Sequence, residues 1–268
     1  LQLSSLEAIN AEIKPNSLKY NLPSRRLNIL IAGCGTGSQL LQAQRYKNAN
    51  ITGIDLSSSS LAYAQRKINE LDINNVDLYQ MDILEVKLLE KKFDIIECGG
   101  VLHHMEDPIK GLKVLLYILK NNGFLKLGLY SEIARKEIIK VQNLISDRKL
   151  NSNSNTIKNF RKYVISSRLA ELNFLTKIKH FYSLSELRDL CFHEQEHRFT
   201  IKQLQENLNS NQLEFLGFYL PESVKTAYKS CFPEDKKQII LENWKIFEDK
   251  YPNTFRSMYQ FWVRKKNI

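Results

Sequence analysis

ILIAGCGTG, residues 29–37, opens with four apolar residues and closes on three glycines at alternate positions. The apolar run predicts a strand buried on both faces. The glycines predict a tight turn where a ligand can approach the backbone closely. SQLLQAQRY (38–46) follows with helical spacing, so the turn leads into a helix N-terminus with free amides and a positive dipole end. ITGIDLS (51–57) reads as a second strand, and SSSLAYAQRKINEL (58–71) as a second helix with serines at its start to cap it. VDLYQMDI (76–83), FDIIECG (93–99) and GFLKLGLYS (123–131) are three more short apolar runs, with helical LKVLLYILK (112–120) before the last. Strand and helix in alternation predict a parallel sheet covered on both faces.

Two acids fall in register with the glycine turn. Asp55 ends the second strand, 22 residues after Gly33. A carboxylate there accepts hydrogen bonds from both hydroxyls of a ribose. Asp82 ends the third strand, where it can receive an adenine amino group. The turn reads G-x-G-x-G rather than G-x-G-x-x-G, which favours a nucleoside without a pyrophosphate.

Taken together, ILIAGCGTG, ITGIDLS, YQMDIL (79–84), FDIIECGGVLHHMEDP (93–108) and LKNNGFLKLGLYS (119–131) resemble the class I S-adenosylmethionine-dependent methyltransferase family over about residues 27–131. The resemblance implies a doubly wound, Rossmann-like α/β fold with a seven-stranded sheet whose last strand is antiparallel. LEFLGFYL (213–220) and MYQFWVRK (258–265) fit its final two strands. It implies S-adenosylmethionine as cofactor: Gly33, Gly35 and Gly37 shape the methionine pocket, Asp55 holds the ribose and Asp82 with Ile83 the adenine. Cys34, Leu56 and Gly99 complete the expected cofactor set. One departure stands out. Many members carry an acid two residues before the first glycine, and here that residue is Ile31. In the second half, RDLCFHEQEHRFT (188–200) is similar to methyltransferase domains found in some bacterial proteins alongside tetratricopeptide repeats.

After Tyr130 the alternation stops. Residues 131–147 read as an amphipathic helix, NSNSN (151–155) as an exposed polar break, and 156–190 as further helices. Thr200 caps a later helix, and another helical segment lies around 223–250. The expected organisation is an N-terminal helical segment (1–26), a cofactor-binding core (27–130 and 200–268) and a helical cap (131–199) that selects the acceptor.

Composition excludes several classes. With 268 residues, 43% hydrophobic and 25% charged, the chain is an ordinary globular protein rather than a disordered one. No apolar run reaches the ~18 residues of a membrane span. The four cysteines are far apart and form no CxxC, which fits a reducing, cytoplasmic setting. Net charge is +10, of which residues 131–180 carry +7. Arg135, Lys136, Lys140, Arg161, Lys162 and Arg168 on this cap suit an anionic substrate. Nucleic acid is not favoured, because aromatic stacking platforms and known binding modules are missing.

Candidate chemistry gathers at two places. His103 and His104 follow the fourth strand, where a base would reach the acceptor, and Tyr130 borders them at the end of the fifth. His193, Glu196 and His197 form the second cluster; the i, i+4 spacing of the histidines puts both on one face of a helix facing the substrate pocket. HEQEH also satisfies two zinc-protease patterns, but no third ligand follows, and no metal site is assigned. The expected function is methyl transfer to a small molecule or peptide side chain. An RNA methyltransferase using the basic cap and a non-catalytic cofactor-binding module are the alternatives.

Overall fold

The structure is a computed structural model that describes residues 3–19, 25–167, 169, 171–193, 195–256 and 258–266. Seven strands, β1 (Leu27–Ala32), β2 (Ala49–Asp55), β3 (Val76–Gln80), β4 (Phe93–Gly99), β5 (Leu119–Leu129), β6 (Leu213–Phe218) and β7 (Tyr259–Lys265), form one sheet in the order β3-β2-β1-β4-β5-β7-β6. The first five are parallel, and β7 runs antiparallel between β5 and β6, as expected from the sequence.

Helices cover both faces. On one, α1 (Ser5–Ile13), α2 (Ser38–Ala43) and α3 (Ser58–Glu70) bury Ile9, Ile13, Leu40, Ala43, Leu61 and Ile68 against Ile29, Ile31 and Ile51. On the other lie α4 (Pro108–Ile118) and the later helices of the core. The expected caps are present. Ser57 accepts from Ser60 at the start of α3, and Asp107 accepts from Ile109 and Lys110 at the start of α4.

Between β5 and β6 the chain forms α5 (Lys136–Asp147), α6 (Ser154–Ser167) and α7 (Leu184–Cys191). Ile138, Val141, Ile157, Phe160, Leu175, Phe181 and Leu187 close a separate apolar core there. The first of these helices starts five residues later than its amphipathic pattern, because Ser131 is held in a β-bridge to Phe199 and residues 131–135 turn. Thr200 then caps α8 (Ile201–Ser210) in a capping box with Gln203. Helices α9 (Glu222–Cys231) and α10 (Leu241–Lys250) separate the last two strands, packing Tyr228 and Trp244 face to face at 3.8 Å. Among the described residues no helix is long and apolar enough to cross a membrane.

The α1 face also carries a buried polar network. Glu97 on β4 accepts from Tyr46 (2.6 Å) and Arg45 (2.8 Å), while Glu12 on α1 accepts from Lys126 on β5 and from the Trp262 indole (2.8 Å). The opposite face of β7 is purely apolar. Phe261 is fully buried there among Leu127, Phe215 and Phe218, so Phe261→Ala should cost about 3–5 kcal/mol in denaturant unfolding.

Candidate active site

The parallel strands end level, and the loops that leave them build one edge of the sheet. Leaving β1, Gly33 adopts φ +73°, and a Cβ there would lie 2.2 Å from Val101. Gly35, at φ +51°, faces open space where its Cβ would be. Only glycine keeps this turn unstrained and the loop backbone open to a ligand. The loop is tied down from β2. Gly33 and Cys34 donate to the Ile54 carbonyl, and Gly35 donates to Asp55 Oδ2 at 2.7 Å. Asp55 Oδ1 accepts from Ser57 at 2.9 Å. Asp82 caps the 3-10 turn Ile83–Leu89, accepting from Leu84 at 2.8 Å.

These residues open onto a cavity of ≈ 360 Å³. Gly33, Asp55, Leu56, Asp82 and Ile83 line it, as expected from the sequence, together with Met81, Leu84, Met105 and Glu106, which the sequence did not single out. His104 closes its far side. Cys34 lies beneath the loop, its thiol pushed up to about 12 by burial and then by Asp55, so it stays a thiol. Gly99 sits outside this cavity, at the end of β4, with its carbonyl held by the Gln39 amide at 3.1 Å.

The second group lies beside β4 and β5. His103 is fully buried and stacks on Tyr130 with ring centroids 3.7 Å apart. Burial, followed by His104 and Arg135, pushes its pKa down to about 2, so its imidazole is neutral. Arg135 sits 4.0 Å from the Tyr130 ring centroid. Two partners this close to one ring must take opposite faces, so Tyr130 is clamped between a cation and an imidazole. Burial also raises the Tyr130 pKa.

The HEQEH segment reaches this group, but not as a helix. Helix α7 stops at Cys191, and the described residues after it run irregularly to Phe199, whose amide donates to Tyr130 O at 2.9 Å. Backbone pairing with β5 replaces the i, i+4 face, and the three side chains part company. His193 is exposed and stacks on His104 at 3.8 Å. Glu196 turns inward to Arg135 and also accepts from Gln142 at 3.2 Å, so it does not face the pocket. His197 donates its backbone N–H to His103 O at 2.7 Å, and its Nε2 is buried with no partner. Among the described residues no group of three His, Cys, Asp or Glu is placed to hold a metal ion.

The cap's cations are likewise spoken for. Arg135 and Glu196 form an ion pair with side chains only 3% and 4% exposed. Lys140 pairs with Glu137, and Arg161 donates to Tyr182 O. Lys136 and Lys162 are exposed, and none of these lines the cavity. Arg168, a further expected member of this cap, and Tyr20, a candidate to cover the cofactor, lie outside the described residues. Tyr182 is 60% exposed and donates to Thr176 O within the cap.

A family model for a methyltransferase domain matches residues 23–187. The chain belongs to this family. It carries a class I, S-adenosylmethionine-dependent methyltransferase domain. An uncharacterized protein of Synechococcus sp. is 33% identical over 204 residues, covering 72% of this chain and 48% of that protein. A ubiquinone biosynthesis O-methyltransferase of Pseudomonas fluorescens is 30% identical over 122 residues, covering 42% of this chain and 52% of its own length. PKMT2 from Rickettsia typhi has the same fold, with TM-score 0.67 and 22% identity over 98% of this chain and 52% of that one. The chain thus spans about half the length of the relatives it matches.

The cavity of the methyltransferase domain fits the adenosine part of this cofactor. Met81, Ile83, Leu84 and Met105 give it apolar walls, Asp55 and Asp82 keep free carboxylate lone pairs, and the open space at Gly35 leaves room beside the loop.

Two outcomes follow from these buried groups. Below pH 6.5 the unfolded chain takes up a proton that folded His103 refuses until about pH 2, so stability should fall as pH drops below 6.5. The slope from this residue is at most ~1.4 kcal/mol per pH unit, and His103→Phe should flatten it in denaturant titrations at stepped pH. Glu196→Ala leaves the Arg135 cation buried and should cost about 3–5 kcal/mol, most of it recovered in the Arg135→Met/Glu196→Leu double variant by the same titration.

Proposed function

We propose that the domain transfers a methyl group to a nucleophile on a small molecule or peptide side chain, with His104 as the proton acceptor. The observation that carries this reading is the position of His104. It lines the cavity on one side and meets the HEQEH segment on the other. Its Nδ1 lies 3.1 Å from the Gln195 carbonyl. A carbonyl oxygen only accepts, so Nδ1 carries the hydrogen and Nε2 keeps its lone pair. Burial lowers the pKa of His104, which keeps the ring neutral and ready to take a proton at pH 7.

When bound, S-adenosylmethionine supplies an electrophilic methyl carbon on a positive sulfur. The protein's part is to hold the acceptor in line, exclude water and remove the acceptor's proton. His193 orders the His104 ring by stacking, and Tyr130 with Arg135 backs His103 behind it. His103 is a packing post in this scheme, since a group with so low a pKa is a poor base. Asp55 sets the donor by its ribose.

The test is transfer of labelled methyl from S-adenosylmethionine to fractionated bacterial lysate. The wild-type chain should label an acceptor, and His104→Phe, which keeps the stack, should lower the rate about 10²–10⁴-fold with unchanged affinity for S-adenosylhomocysteine. Asp55→Asn should weaken that affinity about 10- to 100-fold by calorimetry. An undiminished rate in His104→Phe would remove the base, and absence of any labelled acceptor would point to a non-catalytic module.

A further inference from the structure

We infer that Gln39 binds the amino-acid end of the cofactor, its side-chain oxygen accepting a hydrogen bond from the ammonium group. This rests on the cavity being the S-adenosylmethionine site. In the strand order β3-β2-β1-β4-β5 the chain leaves β1 toward β2 and leaves β4 toward β5. The crevice of such a sheet therefore opens between the ends of β1 and β4. The adenosine cavity reaches that crevice at Gly33. Gln39, in the first turn of α2, spans it, because its Nε2 donates to the Gly99 carbonyl at the end of β4 at 3.1 Å.

That hydrogen bond fixes the amide. A carbonyl cannot donate, so the nitrogen faces Gly99 and Oε1 faces the other way. No described residue donates to Oε1. An ammonium entering the crevice needs acceptors, and the carboxylates are elsewhere. Asp55 belongs to the β2 end and is held by the Gly35 and Ser57 amides. Asp82 stands farther out, beyond β3. Glu97 turns to Tyr46 and Arg45 on the α1 face, and position 31 is a fully buried isoleucine. The Gln39 oxygen is then the side-chain acceptor that the crevice itself presents.

Calorimetric titration with two ligands tests this. S-adenosylhomocysteine carries the amino-acid end, and 5′-methylthioadenosine lacks it. Gln39→Leu should weaken S-adenosylhomocysteine ~10-fold or more and leave methylthioadenosine within about twofold. Gln39→Glu, which keeps an acceptor, should retain S-adenosylhomocysteine binding. Equal loss of both ligands in Gln39→Leu would mean that the residue only shapes the loop, and no change in either would mean that it makes no contact. Both results overturn the assignment while the cofactor site stands. A wild-type chain that binds neither ligand overturns the cofactor site and the role of Gln39 with it.

Discussion

The level parallel register of β3, β2, β1 and β4 is the constraint on which the site depends. Ile31 pairs with Gly53 on one side and Glu97 on the other, and Asp55 pairs with Gln80. With the strands aligned, the glycine loop, Asp55, Asp82 and Gly99 all emerge at one edge. A slip of one residue would turn Asp55 to the opposite face and separate it from the Gly35 amide. The buried isoleucines of β1 and β2 hold the register, since any slip would also bring the wrong side chains against α1 and α4. The same carboxylate that would meet a ribose therefore also fastens the loop that must accept the rest of the ligand.

The cap is joined to this edge by a second device. The Ser131–Phe199 bridge lays the segment after α7 along the end of β5, and the Arg135–Glu196 pair pins its inner side. Beneath the bridge, Ser131 donates to Glu248 at 2.6 Å, and Tyr259 donates to the same carboxyl at 2.7 Å. Burial raises the Glu248 pKa against the pull of these hydroxyls. Elements from α10, β5, β7 and the cap thus meet at Ser131, the residue next to Tyr130. Burying ions in this way contributes less to stability than to fixing one arrangement, here the one that sets His193 against His104.

The sheet was legible because its evidence is local. Apolar runs of strand length, glycines at their ends and acids in step with them define the order of elements without long-range information. The cap was legible only as a set of helices. HEQEH has the spacing of a helical face and no glycine or proline to break it, so nothing local says that α7 ends at Cys191. What ends it is the backbone pairing of Phe199 with β5, a contact across some seventy residues. Glu196 and Arg135 illustrate the same limit. Each reads as a residue facing ligand, and each is satisfied by the other. Gln39 went unnoticed because a glutamine in a helix is unremarkable until its amide is seen across the crevice.

The central claim is that one edge of the sheet binds the cofactor, with the adenosine in the cavity at Asp55 and Asp82 and the reacting end toward His104. A crystal structure with S-adenosylhomocysteine tests it most directly. The account predicts ribose hydroxyls on Asp55, the adenine between Ile83 and Met105, and the sulfur on the His104 side of the glycine loop. Density for the ligand at any other edge or face of the sheet would contradict it.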